Sequence, residues 1–163
     1  MFILHLPTDR QASNLVIMML KLFKAVWFLS MLAVMVNLLY VYAGLPEQVS
    51  LSEKDFEIYS VSKETFFYIA MSFITMGNLL VYLFSKRLIP NEEFRTWIHG
   101  LVITINIFFI VGMSFISLFN SAERFDFERI RFIIYSSVGL VVLWALSWPI
   151  YQIGKKFTAK LPV

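Results

Sequence analysis

Four long apolar runs, separated by short polar stretches, make up most of the chain. The first covers about 25–43, with Lys21 and Lys24 ahead of it, Trp27 just inside, and Tyr40 and Tyr42 at its far end. That order of charge, aromatic ring, apolar core and aromatic ring marks a membrane-spanning helix. The second run, 65–84, follows Ser62, a good N-cap residue, and Glu64, an acid placed to complement the helix dipole; it stops at Ser85-Lys86-Arg87. Ahead of the third stand Pro90 and Asn91, with Glu92 and Glu93 in the position of a capped first turn; the apolar part covers 97–119 and ends at Asn120-Ser121. The fourth, 132–153, contains Pro149, expected to kink its last turn, and Gly154 is placed to cap its C-terminus. Each run is close to the roughly 20 residues that cross a bilayer as a helix. The predicted fold is all-α, a polytopic membrane protein built as a bundle of four transmembrane helices.

The longest polar interruption is Tyr40 to Glu64, YVYAGLPEQVSLSEKDFEIYSVSKE. Gly44, Leu45 and Pro46 end the first helix, because a proline disfavours helical geometry at the residue before it. Ser50-x-x-Glu53 and Ser52-x-x-Asp55 both fit a capping box, and Leu51, Asp55, Ile58 and Tyr59 share a helical face. Alternation through Phe56, Ile58 and Ser60 fits a short strand equally well. One short interfacial helix is the preferred expectation. Residues 1–14 show no sustained periodicity, and Met18-Met19 precede LKLFKAVWFL, a basic-then-apolar opening. Residues 1–18 are therefore read as an N-terminal extension, either an upstream start or a segment along the cytoplasmic face, and 19–163 as a single membrane domain. Between Ser121 and Arg131, Arg124 and Glu128 stand at i,i+4 and Asp126 and Arg129 at i,i+3, which suits a helix emerging into the interface.

Composition agrees with the pattern: 59% of residues are hydrophobic and 15% charged, against roughly 45–50% and about 25% in soluble domains. There is no cysteine, which removes disulfides, thiolate metal sites and cysteine nucleophiles. The net charge of +3 comes from basic residues at the ends of apolar runs rather than from a stripe, so no nucleic-acid partner is implied. Topology accounts for them better. With a cytoplasmic N-terminus, Arg10, Lys21, Lys24, Lys86, Arg87, Arg95, Lys155, Lys156 and Lys160 lie inside, and Lys54, Lys63, Arg124, Arg129 and Arg131 outside. Nine against five favours both termini inside (N-in/C-in) by the positive-inside rule, and Trp27, Trp97 and Trp148 then share the cytoplasmic interface. The expected location is the cell inner membrane of a bacterium, multi-pass.

No Asp, Glu, Lys or Arg falls inside the four spans, which counts against a pump or an ion-coupled transporter. The intramembrane amides Asn37, Asn78 and Asn106 are read as polar glue; Asn78 and Asn106 match in depth and are expected to hydrogen-bond for about 1 kcal/mol. A bis-histidine haem would need a partner for His99, and His5 is the other histidine. Neither phosphate loop, nucleophile elbow nor zinc motif occurs, so no catalytic residue, cofactor or metal is expected and the chain is not read as an enzyme. The candidate partner surface lies on the outer face: Glu53, Asp55, Phe56, Glu57 and Tyr59 with Arg124, Phe127, Arg129 and Arg131, aromatics set among charges. The alternative is that the acidic loop and the basic turn pair with each other and cap the bundle.

Tyr42-x-x-Leu45-Pro46-Glu47-Gln48-Val49 at the end of a first span, followed by Ser62-Lys63 before a second, resembles the N-terminal membrane domain of the bacterial sporulation-delay toxin-immunity family. Ser50 and Ser52 stand where that family has a proline and a histidine, and no glycine lies between Pro46 and Lys63, so the role of that histidine is not carried over. The resemblance implies a bacterial membrane protein with an outward first loop and an immunity or signalling role. The residues themselves point first to a non-enzymatic accessory or structural subunit of a larger membrane complex, with membrane lipid and a protein partner or second copy as its contacts. A toxin-immunity or envelope-stress protein acting through the acidic loop is the alternative, and a small transporter ranks last.

Overall fold

The computed structural model describes residues 9–54, 57–87, 91–121 and 127–158. Its elements in chain order are α1 (Asp9–Gly44), β1 (Gln48–Lys54), β2 (Glu57–Ser62), α2 (Lys63–Arg87), α3 (Glu92–Phe119) and α4 (Phe127–Thr158). All four helices contain a stretch long and apolar enough to cross a membrane: Asn14–Gly44, Lys63–Lys86, Glu92–Phe119 and Ile130–Phe157. The chain is thus a helical, multi-pass membrane protein.

Local chemistry sets the helix ends. The Asn91 side chain accepts from the backbone N–H groups of Glu93 (2.9 Å) and Phe94 (3.3 Å), starting α3 where the sequence places its cap. Ser62 ends β2 and caps α2 at once, its Oγ accepting from Thr65 N at 3.2 Å. Gly154 does not end α4, contrary to expectation; the helix passes through Pro149 and Gly154 to Thr158. Lys155 and Lys156 in that last turn favour its continuation, since cations suit the negative end of the helix dipole. At the other extreme α1 begins well before residue 25. Its apolar stretch of 31 residues, about 46 Å long, exceeds a hydrocarbon core of about 30 Å, so this helix tilts or projects from the membrane.

Helix α3 is the hub, packing along α1 and α4 and more lightly along α2, whereas the α4 backbone approaches α3 alone among the described elements. Val34, Leu38 and Val41 of α1, with Leu45 just past its end, recur every three or four residues and form one buried stripe. They meet Phe66 and Ile74 of α2, Met113 of α3 and Val49 of β1 in one core near the hairpin end of the bundle. Lipid is as apolar as leucine, so close packing and hydrogen bonds must hold helices together there. The α3–α4 seam is an example. A Cβ on Gly100 would lie 2.1 Å from the Trp144 ring, so glycine admits the indole onto the α3 backbone. Trp144 then donates to the Trp97 carbonyl and Trp97 to the Trp144 carbonyl, each at 2.9 Å. The remaining surface of α4, including Phe132, Leu143, Ile150 and Phe157, is exposed and apolar, as a lipid-facing helix should be.

The segment between α1 and α2 is an antiparallel hairpin rather than an interfacial helix. The ladder pairs Gln48 with Ser62, Val49 with Val61, Ser50 with Ser60 and Ser52 with Tyr59, leaving Leu51 as a bulge. A helix nucleated in so short a linker would have gained few hydrogen bonds for the residues it fixed. The hairpin instead buries Val49 and packs Val61 on the core while returning the chain to the membrane beside its exit.

Candidate functional site

Three places concentrate polar chemistry: the hairpin, the middle of the bundle and the end opposite the hairpin. At the hairpin, Asn120 caps α3 and pairs with β1. Its Oδ1 accepts from Ser50 N (2.7 Å), and its Nδ2 donates to Ser50 O (3.0 Å) and Ile116 O (2.8 Å). A side-chain amide has the same donor and acceptor as a peptide, so Asn120 occupies the place of a neighbouring strand residue and docks the bulged part of β1 onto α3. Lys63 sits over the Tyr42 ring at 4.7 Å, and Tyr42 packs on Phe67 at 4.7 Å, tying the start of α2 to the end of α1. Above this base Leu51 and Tyr59 are exposed, 45% and 58% accessible.

The residues of the expected partner surface are only partly within view. Tyr59 and Arg131 are exposed. Glu53 and Glu57 lie on the two strands, and Phe127 and Arg129 in the first turn of α4, but their side chains fall outside the described residues, as do Asp55, Phe56 and Arg124 altogether. The pairing of acidic loop with basic turn falls there too.

In the middle of the bundle Asn78 and Asn106 are side by side. Asn78 Nδ2 donates to Asn106 Oδ1 at 3.1 Å, and Asn106 Nδ2 to Asn78 Oδ1 at 3.3 Å. Two partners join them that the sequence reading had not singled out: Trp27 donates its indole N–H to Asn78 Oδ1 at 2.8 Å, and Asn106 Nδ2 donates to Ser30 Oγ at 2.9 Å. The network thus spans α1, α2 and α3. Asn37 forms a second, separate link, donating to Ile110 O and accepting from Ser114 Oγ, both at 3.3 Å. Every buried side-chain nitrogen and oxygen among the described residues has a hydrogen-bond partner. Ser72 of α2 faces outward and returns its hydroxyl to Tyr68 O at 2.7 Å, the usual way a serine tolerates lipid.

No protein-family model, curated protein or solved structure matches the chain. Function has to be argued from the sites themselves.

At the third place, all four tryptophans gather: Trp27, Trp97, Trp144 and Trp148. Trp148 packs on Phe94 (4.9 Å), Trp97 (6.0 Å) and Tyr151 (5.7 Å). His99 is buried between α3 and α1, edge-on to Trp27 at 5.5 Å, with Nδ1 2.6 Å from Arg95 O. A carbonyl only accepts, so Nδ1 carries a proton there. Among the described residues, three depressions open at or near this end. One of about 510 Å³ runs between Leu15, Val16, Met19 and Phe23 of α1 and Trp97, Trp148 and Tyr151 of α3 and α4. The part of α1 ahead of residue 25 is therefore packed along the bundle. A second, about 350 Å³, is lined by Lys24, Trp27, Tyr82, Ser85, Lys86, Arg95 and His99. A third, about 360 Å³, lies along the α1–α2 seam past Met31, Met35, Ile74 and Leu79.

Proposed function

We propose that the chain is a non-enzymatic subunit of a larger assembly in a bacterial inner membrane, inserted N-in/C-in, and that it presents its hairpin to a protein partner outside the cytoplasm. The observation that carries this reading is the clamp at the hairpin base. Asn120 holds Ser50 by donor and acceptor together, and Val49 is fully buried beneath it, while Leu51 and Tyr59 stand exposed above. A segment fixed in this way is preorganised, so a partner would not have to bear the cost of ordering it. The closed hydrogen-bond network among the spans supports a structural role for their amides, because its polar groups are taken up by one another. A homo-oligomer would use the same surface.

Purification of the full chain from native membranes in mild detergent tests the proposal. A stoichiometric partner is expected with the wild type and lost with Leu51→Glu plus Tyr59→Glu, while helix content stays unchanged. A chain that runs as a monomer in both forms would sink it. A monomer that protects cells against a membrane-active toxin would point to the immunity reading instead.

A further inference from the structure

Antiparallel strands alternate between pairs of residues that exchange backbone hydrogen bonds and pairs whose backbone groups point outward. In the hairpin, Lys63 N donates to Glu47 O at 3.0 Å, which makes Val49 and Val61 the next bonded pair and turns the backbone of Ser50 and Ser60 outward. Ser50 agrees with this, because its N–H and C=O both go to Asn120 instead of across the ladder. The outer edge of β1 is thus covered by α3 at Ser50. On the other side, β2 approaches only β1 and α2 among the described elements, and Ser60 is exposed. Natural sheets guard such an edge with charges, proline or a bulge, but from Ile58 to Ser62 the strand has none of these.

The sequence around Ser60 is complementary to itself. Residues 57–63 read Glu-Ile-Tyr-Ser-Val-Ser-Lys, with the one acid three residues before Ser60 and the one base three residues after it. Pairing two such edges antiparallel about Ser60 sets Glu57 opposite Lys63 of the second copy at both ends and Tyr59 opposite Val61 of the second copy. Opposite charges and aromatic–β-branched pairs are favourable cross-strand neighbours, whereas a parallel pairing would oppose like charges. We infer that a second copy of this chain docks on the outer edge of β2, the two hairpins joining about a two-fold axis at Ser60 into a four-stranded antiparallel sheet. Ser60 then exchanges both of its outward backbone groups with Ser60 of the second copy, an isologous contact formed by strand addition. The axis of such a pairing is perpendicular to the sheet. A hairpin that rests on the core by its Val49 and Val61 face permits that axis to follow the spans, as two copies inserted in the same direction require.

Cross-linking of the full chain in native membranes tests this, since the chain has no cysteine of its own. Across the two-fold the Ser60 Cα atoms would stand about 5.5 Å apart, within disulfide reach. Ser60→Cys should therefore oxidise to a covalent dimer of the chain, and Lys156→Cys, at the other end of the bundle, should not. In mild detergent the wild type should run as a dimer. Ser60→Pro removes an N–H that the hairpin ladder does not use, so amide protection at Val49 and Val61 should persist. Dimer affinity should nevertheless fall on the order of thirtyfold, because both symmetry-related bonds are lost together. Ser60→Thr keeps the N–H and should stay dimeric. The pairing rests on the docking role proposed for the hairpin, and the two fail differently. Absence of the Ser60→Cys dimer, or wild-type affinity in Ser60→Pro with Val49 and Val61 still protected, would overturn the strand pairing. If Leu51→Glu plus Tyr59→Glu then still released a partner, the hairpin would remain the docking surface for something other than a paired β2; release in no variant would overturn both.

Discussion

A single amide decides much of the interior. Asn78 Oδ1 accepts from both Trp27 and Asn106, so replacing it affects three helices at once. Were Asn78 and Asn106 an isolated pair, two leucines would be nearly neutral, because removing both partners strands neither. With Trp27 in the network that conclusion changes. Asn78→Leu with Asn106→Leu leaves the indole N–H without its acceptor, and a buried donor so stranded costs about 1–3 kcal/mol. Adding Trp27→Phe should recover most of that loss, read as thermal unfolding in detergent. If the triple variant is no more stable than the double, the indole bond is not what matters. The depth match of the two asparagines could be read from sequence because helical rise is fixed. Which way Trp27 and Ser30 turn about α1 could not, since rotation is set by packing against the other helices.

Elements are joined by two devices of opposite legibility. Gly100 lies within an apolar run where nothing local demands a glycine; its role appears only where Trp144 crosses it. Gly100→Ala should force that ring away, break both indole–carbonyl bonds and destabilise the α3–α4 seam by roughly 1–3 kcal/mol, as overpacked cores do. Paired with Trp144→Leu, the same alanine should cost much less, and a double-mutant cycle by thermal unfolding measures the difference. The hairpin was ambiguous from sequence for a related reason. Its capping boxes and its alternation were both present, and the choice was made by Asn120, some 70 residues away. Asn120→Asp keeps the acceptor for Ser50 N and removes the donor, whereas Asn120→Leu removes both. Amide exchange at Ser50 should therefore rise modestly in the first and strongly in the second. Equal exchange in wild type and Asn120→Leu would show that the strands hold themselves.

For the whole molecule, the helix ends were read to within a few residues where a cap marked them, as at Ser62 and Asn91, and poorly where none did, as at the start of α1. The aromatic rings bear on how the chain sits in a bilayer. Trp27 and Tyr42 on α1, Tyr68 and Tyr82 on α2, and Tyr135 and Tyr151 on α4 are separated by about 21–24 Å at the helical rise. Similar spacings on three helices are what two interfacial aromatic belts require. The belts fix depth and leave the direction to charge. Lys21, Lys24, Lys86, Arg95, Lys155 and Lys156 lie towards the tryptophan end, with Lys63 and Arg131 towards the hairpin, and the orientation we propose, with the tryptophan end in the cytoplasm, follows the positive-inside rule. The chain lacks cysteine, which makes each introduced thiol a unique probe. Leu51→Cys should react with a membrane-impermeant maleimide added to intact cells, and Lys156→Cys only after the cells are opened. The opposite pattern would invert the molecule, moving the hairpin into the cytoplasm and the basic cavity to the outer leaflet. Labelling of both thiols from outside would mean that the helices do not cross as four spans.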